Sequence, residues 1–135
     1  MKLPKIFNFK KFTKPSGKLL PITFSNKFPI KVKRIFFIYG KKKHKRGDHA
    51  HKKCSQVFFA IKGKIKINMK YKNTNKSVFL NYNGSRALLV PPKIWSSIEF
   101  VDNQSVALVL TDYEYDFKDY IETYEEFIAF QRKDK

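Results

Sequence analysis

Carboxylates are almost missing from the first two-thirds of this chain. Of its eleven acidic residues, ten lie from Glu99 onward, and Asp48 stands alone before them. Seven of the ten crowd into the segment from Asp112 to Glu126. Against them stand 29 lysines and arginines, for a formal net charge of +18. Such a balance attracts polyanions: nucleic acid, anionic lipid or small phosphorylated ligands. The bland counterpart is a lysine-rich solvated surface with a few cations kept for a pocket. Cysteine is nearly absent too. Cys54 is the only one, so no internal disulfide can form, which fits a reducing compartment. Long hydrophobic runs are lacking: no stretch reaches membrane-spanning length, and the opening "MKLPKIFNFKKF" has no signal-peptide core. A cytoplasmic protein without a membrane partner is the expectation. Internal repeats and low-complexity linkers are missing as well.

What is present is core-forming material. The 135 residues are 42% hydrophobic and 16% aromatic, enough for one domain over 1–135 with a real core. Strand patterns dominate. In "KIKINMKY" (Lys64 to Tyr71), Ile65, Ile67, Met69 and Tyr71 alternate with Lys64, Lys66, Asn68 and Lys70, the signature of a half-buried strand. Further runs of strand length are Ile30–Tyr39, Val57–Ile61, Ser77–Leu80, Ala87–Val90, Ser97–Val101 and Ser105–Thr111. Turn residues separate them, among them Lys62-Gly63, Asn83-Gly84 and Pro91-Pro92. Short strands at this spacing predict an all-β sandwich or barrel. The end differs: from Phe117, apolar residues at Phe117, Tyr120, Ile121, Tyr124, Phe127 and Ile128 follow a helical period. Asp116 reads as its N-cap, with Asp119 and Glu122 in the favourable first turns.

The stretch "RGDHAHKK" carries the chemistry. On an extended strand His49 and His51 project from one face. They could bind metal, move protons or simply face water. The spacing extends further: four residues after His51 comes Gln56, and six after that Gly63. A second set runs from Gly84 to Pro91 and ends at Ser96. This pattern resembles the two signature motifs of the cupin superfamily, which implies a double-stranded β-helix. In metal-binding cupins three histidines and a glutamate hold the ion. Here Gln56 and Ser96 stand at the glutamate position and the third histidine position. A neutral amide and a hydroxyl are poor substitutes, and the only charged ligand is lost. No metal and no other cofactor is therefore expected. Two imidazoles flanked by Arg46, Lys52 and Lys53 remain, suited to accept and return a proton near neutrality beside an anionic intermediate.

The likeness sharpens over nearly the whole chain. "FNFKKF", "IKVKRIFFIYG", "RGDHAHKKCSQVFFAIKGKIKI", "VPPKIW" and "VLTDYEYDFKDYIETYEEF" resemble the dTDP-sugar 3,4-ketoisomerases of the WxcM-like family. The resemblance implies a homodimer of small jelly-roll subunits with the C-terminal amphipathic helix docked on the sandwich or on a partner. It implies transfer of the ketone of a dTDP-linked 4-keto-6-deoxy sugar from C4 to C3, without metal, in the biosynthesis of 3-amino-3,6-dideoxy sugars for surface glycans. By the same resemblance His51 is the base and His49 relays or returns the proton. Arg46, Lys53 and Arg34 would meet the enediolate or pyrophosphate, and Tyr39 a sugar oxygen. Gln56 and Trp95 would shape the pocket. Ser16 and Ser96 occupy positions that are bulky or cationic in relatives whose products differ at C4. Asp48 stands where an aromatic or apolar residue is expected. Two other readings compete: a basic nucleic-acid-binding β-domain, for which no recognition motif is present, and a sugar-nucleotide 3,5-epimerase. "KIFNFKKF" reads as an edge strand that a second copy could exchange.

Overall fold

The computed structural model describes residues 1–133, so Asp134 and Lys135, the last two positions of the expected domain, lie outside it. Twelve strands make up most of the described residues. They are β1 (Lys5–Asn8), β2 (Phe12–Lys14), β3 (Gly17–Leu19), β4 (Arg34–Gly40), β5 (Lys45–His51), β6 (Gln56–Lys62), β7 (Lys64–Tyr71) and β8 (Thr74–Asn81), then β9 (Arg86–Val90), β10 (Trp95–Phe100), β11 (Ser105–Thr111) and β12 (Tyr120–Ile121). A 3-10 turn (Phe117–Asp119) precedes β12, and α1 (Tyr124–Lys133) follows it. One antiparallel sheet has the order β1-β9-β6-β11-β4 and the other β12-β5-β10-β7-β8, while β2 and β3 form a separate hairpin.

Alternation decides which faces meet. Ile65, Ile67 and Met69 of β7 are buried, as are Val78 and Leu80 of β8 and Ile98 and Phe100 of β10. They pack against Phe58 and Ala60, Leu88 and Val90, and Ala107 and Val109 from the opposite sheet. The core thus lies between two inward faces, as in sheet-on-sheet packing. A second cluster covers the outside of the first sheet. There Val57, Phe59 and Leu110 carry Phe7, Phe9, Phe28, Ile30 and Val32 of the N-terminal segment.

That cover explains one departure from the sequence reading. The apolar run from Ile30 predicts strand, yet pairing starts at Arg34. Ile30 and Val32 instead lie on the Val57–Phe59 cluster, and the Lys33 N–H donates to the Thr111 carbonyl at 2.8 Å, where the segment joins the sheet. The N-terminal strand β1 is paired with β9 of its own chain.

The C-terminal segment departs more. Asp116 is a cap, accepting from the Lys118 N–H at 3.0 Å, but it caps only the 3-10 turn. The single helix expected from Phe117 is interrupted because Tyr120 and Ile121 add to the free edge of β5, opposite His51 and Ala50. The true α-helix begins after Thr123, whose hydroxyl accepts from the Glu126 N–H at 3.1 Å. Thr123 and Glu126 have the spacing of a capping box. The helix buries Phe127 against Ala50 and Ile121, so it docks on the end of the strand that carries both histidines.

Candidate active site

A bulge in β5 builds the site. Ser96 of β10 faces His49, but Ser97 faces Gly47, so Asp48 is an extra residue on the strand. Gly47 and Asp48 both take left-handed backbone, with φ of +92° and +58°. On a regular strand, residues three apart point to opposite faces; the inserted residue puts Arg46 and His49 on the same one. This accounts for Asp48. Aspartate tolerates positive φ far better than the aromatic or apolar residue expected there. A Cβ on Gly47 would lie 3.2 Å from the Ser96 carbonyl oxygen and 3.3 Å from the Ser97 Cα. Gly47→Ala should therefore destabilise by about 1–3 kcal/mol, read as a lower denaturation midpoint at unchanged slope.

Facing the bulge is a cleft of about 500 Å3 between the two sheets. Arg34, Phe36, Ile38 and Tyr39 of β4 line one side and Arg46 and His49 of β5 the other. Gln56, Phe58, Ser96, Ile98 and Tyr120 also contribute to its walls. Six residues picked out in the sequence thus converge: Arg34, Tyr39, Arg46, His49, Gln56 and Ser96.

His51 stands immediately behind. Its ring meets that of His49 edge to face with centroids 5.0 Å apart, and it is 7% exposed. Its Nδ1 lies 3.1 Å from Asp119 Oδ2. A carboxylate only accepts, so Nδ1 carries the hydrogen and Nε2 keeps a free lone pair. Among the described residues, buried Nε2 has no protein partner. Burial and the neighbouring His49 lower the His51 pKa to about 4, against the raising influence of Asp119. Burial lowers His49 as well. Both imidazoles are therefore neutral at pH 7, the state in which they can act as bases.

The profile of the family described as "FdtA: WxcM-like, C-terminal" matches residues 2–132. The chain belongs to this family. It is 32% identical over 124 residues, 91% of its length and 88% of the relative's, to a TDP-4-oxo-6-deoxy-alpha-D-glucose-3,4-oxoisomerase of Aneurinibacillus thermoaerophilus. Among solved structures it is similar to the 3,4-ketoisomerase QdtA of Thermoanaerobacterium thermosaccharolyticum in complex with TDP. There the TM-score is 0.89 at 32% identity, with 97% of this chain and 96% of that one covered. A histidine-to-asparagine mutant of QdtA in complex with TDP-4-keto-6-deoxyglucose matches with a TM-score of 0.89 at 31% identity, covering 96% and 94% of the two chains. An RmlC epimerase of Mycobacterium tuberculosis is 12% identical with a TM-score of 0.77 over 87% of this chain and 66% of that one, a likeness of fold alone. The fold is the cupin-like β-sandwich of sugar-nucleotide isomerases, and the nucleic-acid-binding and 3,5-epimerase readings are not favoured.

Within this WxcM-like chain, three residues expected at the site are not brought to the cleft. Lys53 acts through its backbone: its N–H donates to Asp119 Oδ1 at 2.8 Å, while its side chain is exposed. Trp95 packs on Tyr124 and Phe127, at centroid distances of 5.5 and 5.8 Å, and so anchors α1. Its place at the outer end of β10 turns it from the pocket. Ser16 lies exposed between β2 and β3, a hairpin paired with neither large sheet.

Two site residues escaped the sequence reading, Asp119 and Tyr120. Besides His51, Asp119 Oδ2 takes the Cys54 N–H at 3.2 Å, so the carboxylate ties the end of β5 to the C-terminal segment. Tyr120 packs on both imidazoles, with centroids 4.9 Å from His49 and 4.4 Å from His51. Their common signal was the quoted segment "DYEYDFKDYIETYEEF", in which helical periodicity drew the eye from the Asp119-Tyr120 pair.

Ligand atoms of His51, Cys54 and Asp119 lie within 4.8 Å of one another. They do not make a ready cation site. The carboxylate oxygens already accept three N–H groups, and burial pushes the Cys54 thiol up to about 12, so it keeps its proton.

Proposed function

We propose that this chain is a sugar-nucleotide 3,4-ketoisomerase that converts dTDP-4-keto-6-deoxyglucose to a dTDP-3-keto-6-deoxyhexose. The observation that carries the reading is the neutral His51 with Nδ1 held by Asp119, set against His49 in a cleft walled by Arg34 and Arg46.

The substrate's C3 hydrogen is acidified by the C4 ketone. Removal by His51 puts the electron pair into a C3–C4 enediolate, and Asp119 stabilises the imidazolium that forms. Arg46 and Arg34 supply fixed positive charge for the enediolate and the pyrophosphate. His49 relays the proton or returns it at C4, which leaves the ketone at C3. Tyr39, 78% exposed at the mouth, meets an oxygen of the nucleotide sugar, and Gln56 and Ser96 shape the floor. Neither Gln56 nor Ser96 brings the charge a divalent ion needs, so the reaction runs on side chains alone. The product feeds biosynthesis of 3-amino-3,6-dideoxy sugars.

In this reading residues 1–135 are one cytoplasmic domain. No helix among the described residues is long and apolar enough to cross a membrane. The domain works as a homodimer. Ile35 and Phe37, 50% and 51% exposed, form an apolar pair on the outer face of edge strand β4, and a second copy would cover it. Phe37→Lys should shift the protein from dimer to monomer in sedimentation; a monomeric unmodified protein would contradict the arrangement.

The reading and its nucleic-acid rival separate in one titration. TDP should bind and saturate at moderate salt, whereas oligonucleotide affinity should collapse as salt rises. Salt-resistant oligonucleotide binding with no TDP binding would sink the proposal.

A further inference from the structure

Alternation along β7 leaves a lysine stripe on the outside of the second sheet. Ile65, Ile67 and Met69 go to the core, so Lys64, Lys66 and Lys70 share the opposite face. From Lys64 to Lys70 the stripe runs about 20 Å. Across the ladders Lys66 stands between Glu99 of β10 and Phe79 of β8. The cleft lies on the other side of this sheet: Ser96 and Ile98 of β10 line it, while Glu99 points outward.

Little on this face offsets the charge. Glu99 is shared between Lys45 and Lys66 at 3.7 and 3.8 Å and accepts from the Asn68 amide at 3.2 Å. The ammonium groups lie on rings instead. Lys64 and Lys66 Nζ are 4.6 and 5.6 Å from the Phe79 centroid, and Lys70 Nζ is 5.2 Å from that of Tyr124. Both rings are exposed. Beside the stripe, a shallow groove of about 330 Å3 is lined by Lys45, Lys66, Lys70 and Lys76 against Asp48 and Glu99. At the β7–β8 turn the positive face continues into a hollow of about 650 Å3. Lys72 and Arg132 line it with Ile128 and Phe130, and no described carboxylate does.

We propose that this face docks the protein peripherally on an anionic phospholipid surface, with the cleft turned away from it. Charge complementarity selects an anionic partner. The rings carry ammonium groups, so they are not open platforms for stacking bases, as a single-stranded nucleic acid requires. Lysine stems resting on exposed aromatics, with their charges outward, suit the headgroup level of a bilayer. Hydropathy registers spanning segments. A surface made from alternate residues of a strand leaves no such run, so the lack of one does not bear on it. The docking is independent of the chemistry in the cleft.

The test is co-sedimentation of the full chain at moderate salt with vesicles of phosphatidylcholine alone, and with vesicles in which about one-third is phosphatidylglycerol. The parent should bind the mixed vesicles and not the neutral ones. Lys64→Gln/Lys66→Gln/Lys70→Gln should lose at least about thirty-fold in partition, and Lys70→Gln alone, at an exposed position, about five-fold. Lys5→Gln/Lys10→Gln/Lys31→Gln removes the same charge from exposed positions of the N-terminal segment and should stay within about three-fold of the parent. Urea midpoints of the variants, compared with the parent's, show that each is folded. Equal losses in the two triple variants would mean that net charge alone drives binding, and would overturn the proposal. So would a parent that ignores the mixed vesicles or binds both kinds alike. Oligonucleotide binding that only the first triple variant loses, without vesicle binding, would give the face to nucleic acid and overturn the proposal as well.

Discussion

Asp119→Asn should lower kcat/KM for the 4-keto sugar by about a hundred- to ten-thousand-fold, with TDP affinity nearly unchanged. Asp119 is outside the cleft wall, so the effect runs through His51. If the amide turns its NH2 toward Nδ1, the imidazole must accept there, and the hydrogen moves to Nε2. The base is then lost. If the amide turns its oxygen toward Nδ1, the tautomer survives but the imidazolium formed in the reaction has no counter-charge. In the first case the NH2 also faces the Cys54 N–H, and in the second the Lys53 N–H, where the carboxylate now accepts. Either way one backbone donor loses its acceptor, a further destabilisation of about 1–3 kcal/mol where it is the half-buried Cys54 N–H and less where it is the exposed Lys53 N–H. Steady-state kinetics beside a denaturant titration separates the two effects. Activity within about ten-fold of the parent would show that the His51–Asp119 contact is structural only.

His51→Asn should abolish detectable turnover and also flatten the acid limb of stability. In the folded protein His51 titrates near pH 4, below its ordinary value of 6.5. Between these values the unfolded chain holds a proton there that the native protein refuses. Stability is accordingly complete above about pH 6.5 and falls as the pH drops toward 4, by about 3 kcal/mol from this residue. His49, also lowered by burial, acts in the same direction. Urea midpoints measured from pH 7 down to pH 4.5 should decline steeply for the parent and less so for His51→Asn. Equal slopes would contradict a buried neutral imidazole. Activity should follow the same titration, with kcat/KM of the parent holding well below pH 6.5 as long as the base stays unprotonated.

Local spacing made much of this structure legible. β7 and β11 coincide with the predicted runs Lys64–Tyr71 and Ser105–Thr111, because a strand with one buried face writes its period into the residues. The histidine pair, Arg46, Gln56 and Ser96 could be found because strands β5, β6 and β10 carry them at the spacings of two short motifs. Asp119 could not be found that way. It meets His51 across 68 positions of chain, and such a contact leaves no periodic trace in the sequence. The short strand β12 misled for a related reason. Tyr120 and Ile121 fall on a helical period with Tyr124 and Phe127, but the open edge of β5 outcompetes two further residues of helix. Trp95 was misplaced because its position beside the motif serine suggests the pocket, while the outward alternation of β10 delivers it to α1.

A proton NMR time course of the purified protein with dTDP-4-keto-6-deoxyglucose in D2O, run beside a chelator-treated sample, tests the central claim most directly. The account predicts a 3-keto sugar nucleotide formed at the same rate in both samples, with deuterium at C4 where the imidazolium has exchanged with solvent. Substrate that stays unchanged, or turnover that disappears with the chelator, would contradict it.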